Sequence, residues 1–78
     1  MSLIPLTKLK KGAKAKVVEV TAGKQLALRL SHLGLRRGSH FTKISSFALK
    51  GPVTVKVGAT IIALGHGMAE KVMVDSHV

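Results

Sequence analysis

Seventy-eight residues without a cysteine make one domain, 1–78, in which only roughly 60% of the chain's surface can be buried. Disulfides and thiolate metal sites are excluded as staples, and a reducing, cytoplasmic setting is the natural expectation. Thirteen Lys and Arg against three acids give a formal charge of +10, which favours an acidic partner (nucleic acid, anionic membrane or acidic protein face) without choosing among them.

The opening Met1-Ser2-Leu3-Ile4-Pro5 is too short and too soon followed by lysines to read as an export signal. No apolar run approaches the roughly 20 residues that span a bilayer. Leu3, Leu6 and Leu9 recur at a spacing of three before Lys10-Lys11-Gly12, which suits a docked turn of helix or a tucked loop. From Ala13 to Val20 the pattern is that of a strand with Ala15 and Val17 on one face. Val20 falls out of phase with that face, and a β-bulge near Val18 and Glu19 restores it.

Lys24 to Leu33 reads as a helix, with Leu26, Leu30 and Leu33 on one stripe at spacings of four and three. Gly34 ends it. Glycine accepts the positive φ found just past a helix, and a Schellman-type ending folds Leu35 back onto Leu30. Ser39 to Phe47 reads as the next strand; Phe41 belongs to the core, while Lys43, in phase with it, leaves the inward face open.

Beyond Pro52, Val53, Val55 and Val57 alternate with Thr54 and Lys56, and Ile62 and Leu64 alternate with Ile61 and Ala63. A two-residue loop at Gly58-Ala59, with glycine first, makes this a hairpin in which Val55 faces Ile62 and Val53 faces Leu64. Met68-Ala69-Glu70 makes one helical turn after Gly65-His66-Gly67, and Val72 and Val74 supply a last strand. About five strands and one short helix in so short a chain predict a mainly β architecture, a small partly open barrel with the helix across one end.

Gly12 with Ala15, Val17 and Val20, Leu26 with Arg29-Leu30 and Leu33-Gly34-Leu35, Gly38, Gly51-Pro52, Ile62-Ala63-Leu64, and Ala69, Val72 and Val74 keep the order and spacing of one family almost end to end. In these residues the chain resembles ferrous iron transport protein A, FeoA, whose members are small SH3-like barrels. The family often carries proline where Arg37 stands, and the turn tolerates the change because proline only pre-sets φ there. Related barrels occur at the C-terminus of metal-dependent repressors, but no DNA-binding helices precede this one, so it resembles the free-standing form. The resemblance implies an accessory role in bacterial ferrous iron uptake, docking on the cytoplasmic part of the FeoB-type membrane transporter.

His32, His40, His66 and His77 show no close ligand spacing. His66 and Met68 form the most ligand-like pair, yet a thioether suits copper(I) better than iron and two ligands fall short of a structural site. No cofactor is expected; iron(II) is the ion the resemblance brings to mind, and ligand spacing does not support it. No phosphate loop, nucleophile elbow or acid–base pair appears, so no enzyme and no small-molecule substrate is expected.

With Phe41 and Phe47 as the sole aromatics, neither a polyproline groove nor a base-stacking platform is available. Nucleic acid remains an alternative partner through phosphates alone, recognisable by steep salt dependence. On the helix, Lys24, Leu28 and His32 form a second line at a spacing of four, followed by Arg36-Arg37. This makes Leu28, ringed by basic residues, the centre of a candidate partner-binding patch of Lys24, Leu28, Arg29, His32, Arg36 and Arg37. Arg29 has two readings: bracing the helix through Glu19 or Glu70, or facing the partner. Anionic lipid at the inner face of the membrane adds roughly 1 kcal/mol per basic residue near it.

Overall fold

A computed structural model describes residues 3–21, 23–46 and 51–76. Its strands are β1 (Leu3–Pro5), β2 (Lys14–Val20), β3 (His40–Ser46), β4 (Val53–Val57), β5 (Thr60–Leu64) and β6 (Val72–Asp75). They form one antiparallel sheet in the order β1-β6-β2-β3-β4-β5, curled but not closed. Helices α1 (Lys24–His32) and α2 (His66–Ala69) interrupt it after β2 and after β5. The mainly β, open-sheet architecture is the one the pattern predicts and the SH3-like fold the one the resemblance implies, with six strands where about five were expected. The sixth is β1, whose three residues pair with β6 from Leu3↔Asp75 to Pro5↔Met73.

The Leu3-Leu6-Leu9 segment thus divides. Leu3 belongs to β1 and is exposed, while Leu6 opens a 3₁₀ turn over Leu6–Lys8, and Leu6 and Leu9 are both buried. The bulge in β2 falls where the phase break demands it: Val17 pairs with Val74 and Glu19 with Met73, leaving Val18 as the extra residue. That extra residue returns Val20 to the inner face, where it packs on the core. The hairpin register is as expected, with Val55↔Ile62, Val53↔Leu64 and a positive φ of 60° at Gly58. All four facing aliphatics are buried. The predicted end of β3, Phe47, lies outside the described residues.

Lys43 resolves the open question about β3, because it shares the inner face with Phe41 and is 1% exposed. Its ammonium Nζ donates to the carbonyl oxygens of Leu6 (3.1 Å), Thr7 (3.2 Å) and Leu9 (2.6 Å). Leu6 O also accepts from the Leu9 N–H within the turn (3.1 Å), so the ammonium adds a second donor there and supplies the donor that the Thr7 and Leu9 carbonyls need. Among the described residues no buried side-chain nitrogen or oxygen is left without a partner. Burial pushes the Lys43 pKa below its ordinary 10.5. A single side chain therefore ties the N-terminal segment to the far side of the core.

Candidate docking surface

Helix α1 is poorly defined at its start and firmly defined at its end. Gly23 provides no side-chain cap and no acid sits in the first turn, where one would favour the helix dipole. The C-terminus is a complete Schellman motif: the Gly34 N–H donates to Ser31 O (3.0 Å) and the Leu35 N–H to Leu30 O (2.9 Å), with Gly34 at φ 100°. Leu30 and Leu35 are both buried in the core, the contact such an ending favours.

The inner stripe differs in one member. Leu30 is buried and Leu26 packs on the core, but Leu33 is 48% exposed. Leu33 is the capping residue, and once Gly34 reverses the chain it is Leu35, at 0% exposure, that fills the space below. The outer stripe is as expected: Lys24, Leu28, Arg29 and His32 are all exposed, Leu28 at 59%. Leu33 joins them one turn beyond Arg29, so the outer face carries two leucines, a feature that reading Leu33 as core hides.

Arg36 and Arg37 follow in a turn closed by the Ser39 N–H on Arg36 O (2.9 Å), with Gly38 at φ 90° in third place. The proline position of the family is the second place, and the turn forms with Arg37 in it. Arg37 also has structural work: its Nε donates to Val18 O (3.3 Å), the carbonyl of the bulge residue. Arg36 is exposed, and its backbone N–H donates to the Ser39 hydroxyl (3.2 Å). Between the turn and α1 lies an open cleft of about 300 Å³ lined by Glu19, Val20, Ala27, Leu35, Arg36 and Arg37. Arg29 is exposed and forms no ion pair with Glu19 or Glu70.

His66 and Met68 do not form a loop site. Both lie on α2, two residues apart and so on different sides of the helix. The His66 Nε2 donates to Glu70 Oε1 at 2.9 Å, and Met68 packs against the core. His32 and His40 are exposed on separate elements, and His77 lies outside the described residues. Among the described residues no three of His, Asp and Glu come together, and no helix is long and apolar enough to cross a membrane.

These features define a small SH3-like barrel with a capped helix followed by an arginine turn. The FeoA domain model matches residues 4–76. A crystal structure of an iron uptake regulatory protein, FeoA, shares 31% identity over 96% of this chain and 97% of its own, with a TM-score of 0.84. FeoA from Chlorobium tepidum shares 28% identity over 96% of this chain and 71% of its own, with a TM-score of 0.86. The crystal structure of ScaR with bound Cd2+, 18% identical, shares the fold over 94% of this chain and 34% of its own, with a TM-score of 0.83. No curated protein sequence matches significantly. The chain belongs to the FeoA family, small accessory domains associated with ferrous iron transport.

Proposed function

We propose that the protein is a cytoplasmic accessory subunit of ferrous iron uptake that docks on the cytoplasmic part of a FeoB-type transporter through the outer face of α1 and the adjoining arginine turn. The observation that carries this reading is Leu28, 59% exposed with Lys24 and His32 one turn to either side and Arg29 beside it. Leu33 extends the apolar contact. A buried leucine contributes ~2 kcal/mol to an interface, and the cations around it select an acidic counterpart and speed encounter. The cleft beneath Arg36 and Arg37 offers a partner side chain an apolar floor of Val20, Ala27 and Leu35. Attraction of the basic exterior to anionic lipid at the inner face of the membrane supports docking on a membrane-embedded partner.

Titration against the soluble domain of the transporter tests the surface. Leu28→Asp combined with Arg36→Glu is expected to weaken binding at least tenfold, with the unfolding midpoint preserved because both side chains are exposed. Unchanged affinity removes this face from consideration.

A further inference from the structure

The strongest unassigned feature lies on the outer face of the sheet. Register places Lys14 beside Thr42 and Thr42 beside Lys56, so the three stand abreast on β2, β3 and β4. Adjacent strands are ~4.8 Å apart, which brings the two lysine stems within about 10 Å with a hydroxyl between them. All three point outward, since Ala15, Phe41, Lys43 and Val55, which alternate with them, are buried. His40 adds an exposed imidazole two residues along β3. Lys14, His40, Thr42, Lys56 and Gly58 line an open cleft of about 490 Å³.

Among the described residues no acidic side chain is paired with this cluster. Glu70 is engaged by His66, Glu19 lines the cleft beside Arg36 and Arg37, and Asp75 is 7% exposed on β6, opposite Lys16. Lys14, His40 and Lys56 form no ion pair with any described residue. Like charges held together on a rigid sheet repel one another, and a bound anion relieves that repulsion.

We propose that this cleft binds a phosphate-bearing anion. Two ammonium groups, a hydroxyl and an imidazole from three strands line the one cleft. Several donors around a cleft suit the tetrahedral array of phosphate oxygens better than a planar carboxylate, and lysine serves such groups as a compact point charge. The phosphate itself is the recognised group, because the one nearby aromatic, Phe41, is 4% exposed and offers no face for a base to stack on. The site is distinct from the α1 surface and does not depend on the transporter reading.

Amide chemical shifts of the full chain, followed during titration with inorganic phosphate at constant ionic strength, test it. Saturable shifts centred on Lys14, Thr42, Lys56 and Gly58 are expected. Lys14→Gln and Lys56→Gln should each weaken binding about tenfold, whereas Lys71→Gln, which removes the same charge from an exposed position outside the cleft, should leave it unchanged. Co-sedimentation with phosphatidic acid vesicles then identifies the source. Retention that Lys14→Gln and Lys56→Gln abolish assigns the site to a lipid headgroup, and no retention assigns it to a small soluble phosphate compound. Shifts that do not saturate at these amides, or an equal loss in Lys71→Gln, overturn the proposal.

Discussion

Two cationic regions of this molecule do opposite things. Beneath the N-terminal 3₁₀ turn, Lys43 is 1% exposed and gives every proton of its ammonium to a backbone carbonyl. Around α1 and its following turn, Lys24, Arg29, His32, Arg36 and Arg37 are exposed, and of these side chains only that of Arg37 is tied to a partner among the described residues, the bulge carbonyl of Val18. What separates a structural cation from an available one is the convergence of unsatisfied carbonyls, since residue type is the same in both regions. Lys43 closes the fold because the turn's own bond, from the Leu9 N–H to Leu6 O, leaves the Thr7 and Leu9 carbonyls to the ammonium; the α1 cations stay exposed because the chain has too few acids to occupy them.

Removing the structural cation is the hardest test of that contrast. Lys43→Met keeps the volume and apolar stem but strands the Thr7 and Leu9 carbonyls, each costing about 1–3 kcal/mol when left unmade, while Leu6 O keeps the Leu9 N–H. Relief of the desolvated charge offsets part of this, and a net loss of about 3 kcal/mol is expected in urea unfolding. For a chain of this size that is a large share of total stability. The pH dependence has a definite sign. Because the folded-state pKa of Lys43 lies below its ordinary 10.5, the unfolded chain binds more protons between the two values, so Lys43 makes stability rise with pH across that alkaline window. Lys43→Met should lack that component, and parallel stability–pH profiles for the two proteins would show that the buried amine does not titrate as described.

The next effect concerns the end of α1. Gly34→Ala forces a side chain into φ 100°, worth about 1–2 kcal/mol, whereas space is not the obstacle: an added Cβ would meet Val57 Cγ1 at 3.4 Å. Gly34→Asn, which tolerates the left-handed region better, should lose less. Equal losses for Ala and Asn in thermal unfolding would move the cause from backbone strain to crowding against Val57.

Much of this was legible in the chain itself. Strict alternation revealed the β4–β5 hairpin and its register; the phase break at Val20 revealed the bulge; and a glycine after a leucine-rich helix revealed the Schellman ending. The misreadings share a cause. Leu33 satisfies the helical period but occupies the residue where the period ends, and Leu3 satisfies a spacing of three but belongs to a strand that pairs with the far end of the chain. Lys43 was ambiguous because its acceptors lie more than thirty residues away in sequence, and local pattern carries no record of which carbonyls converge. The cation row of the outer sheet was hidden for the same reason, since Lys14, Thr42 and Lys56 become neighbours only through cross-strand register.

The smallest expected effect sharpens the contrast at its other pole, where Arg37 is both an exposed cation and a tethered one. In the Arg36–Ser39 turn the closing hydrogen bond runs from the Ser39 N–H to Arg36 O and leaves the Arg37 N–H out of it, while Gly38 supplies the positive φ. Proline is favoured at the second place of such a turn. Arg37→Pro therefore gains about 0.4–1 kcal/mol by restricting the unfolded chain and loses the exposed bond to Val18 O, a contribution of similar size, so the net change should stay within about 0.5 kcal/mol. Arg37→Ala loses the same bond without the restriction and should be the less stable of the two. If proline proves worse than alanine, the turn does not have the geometry assigned to it. If both hold their stability yet weaken the transporter titration, Arg37 belongs to the available cations, and its tie to the bulge serves to aim it.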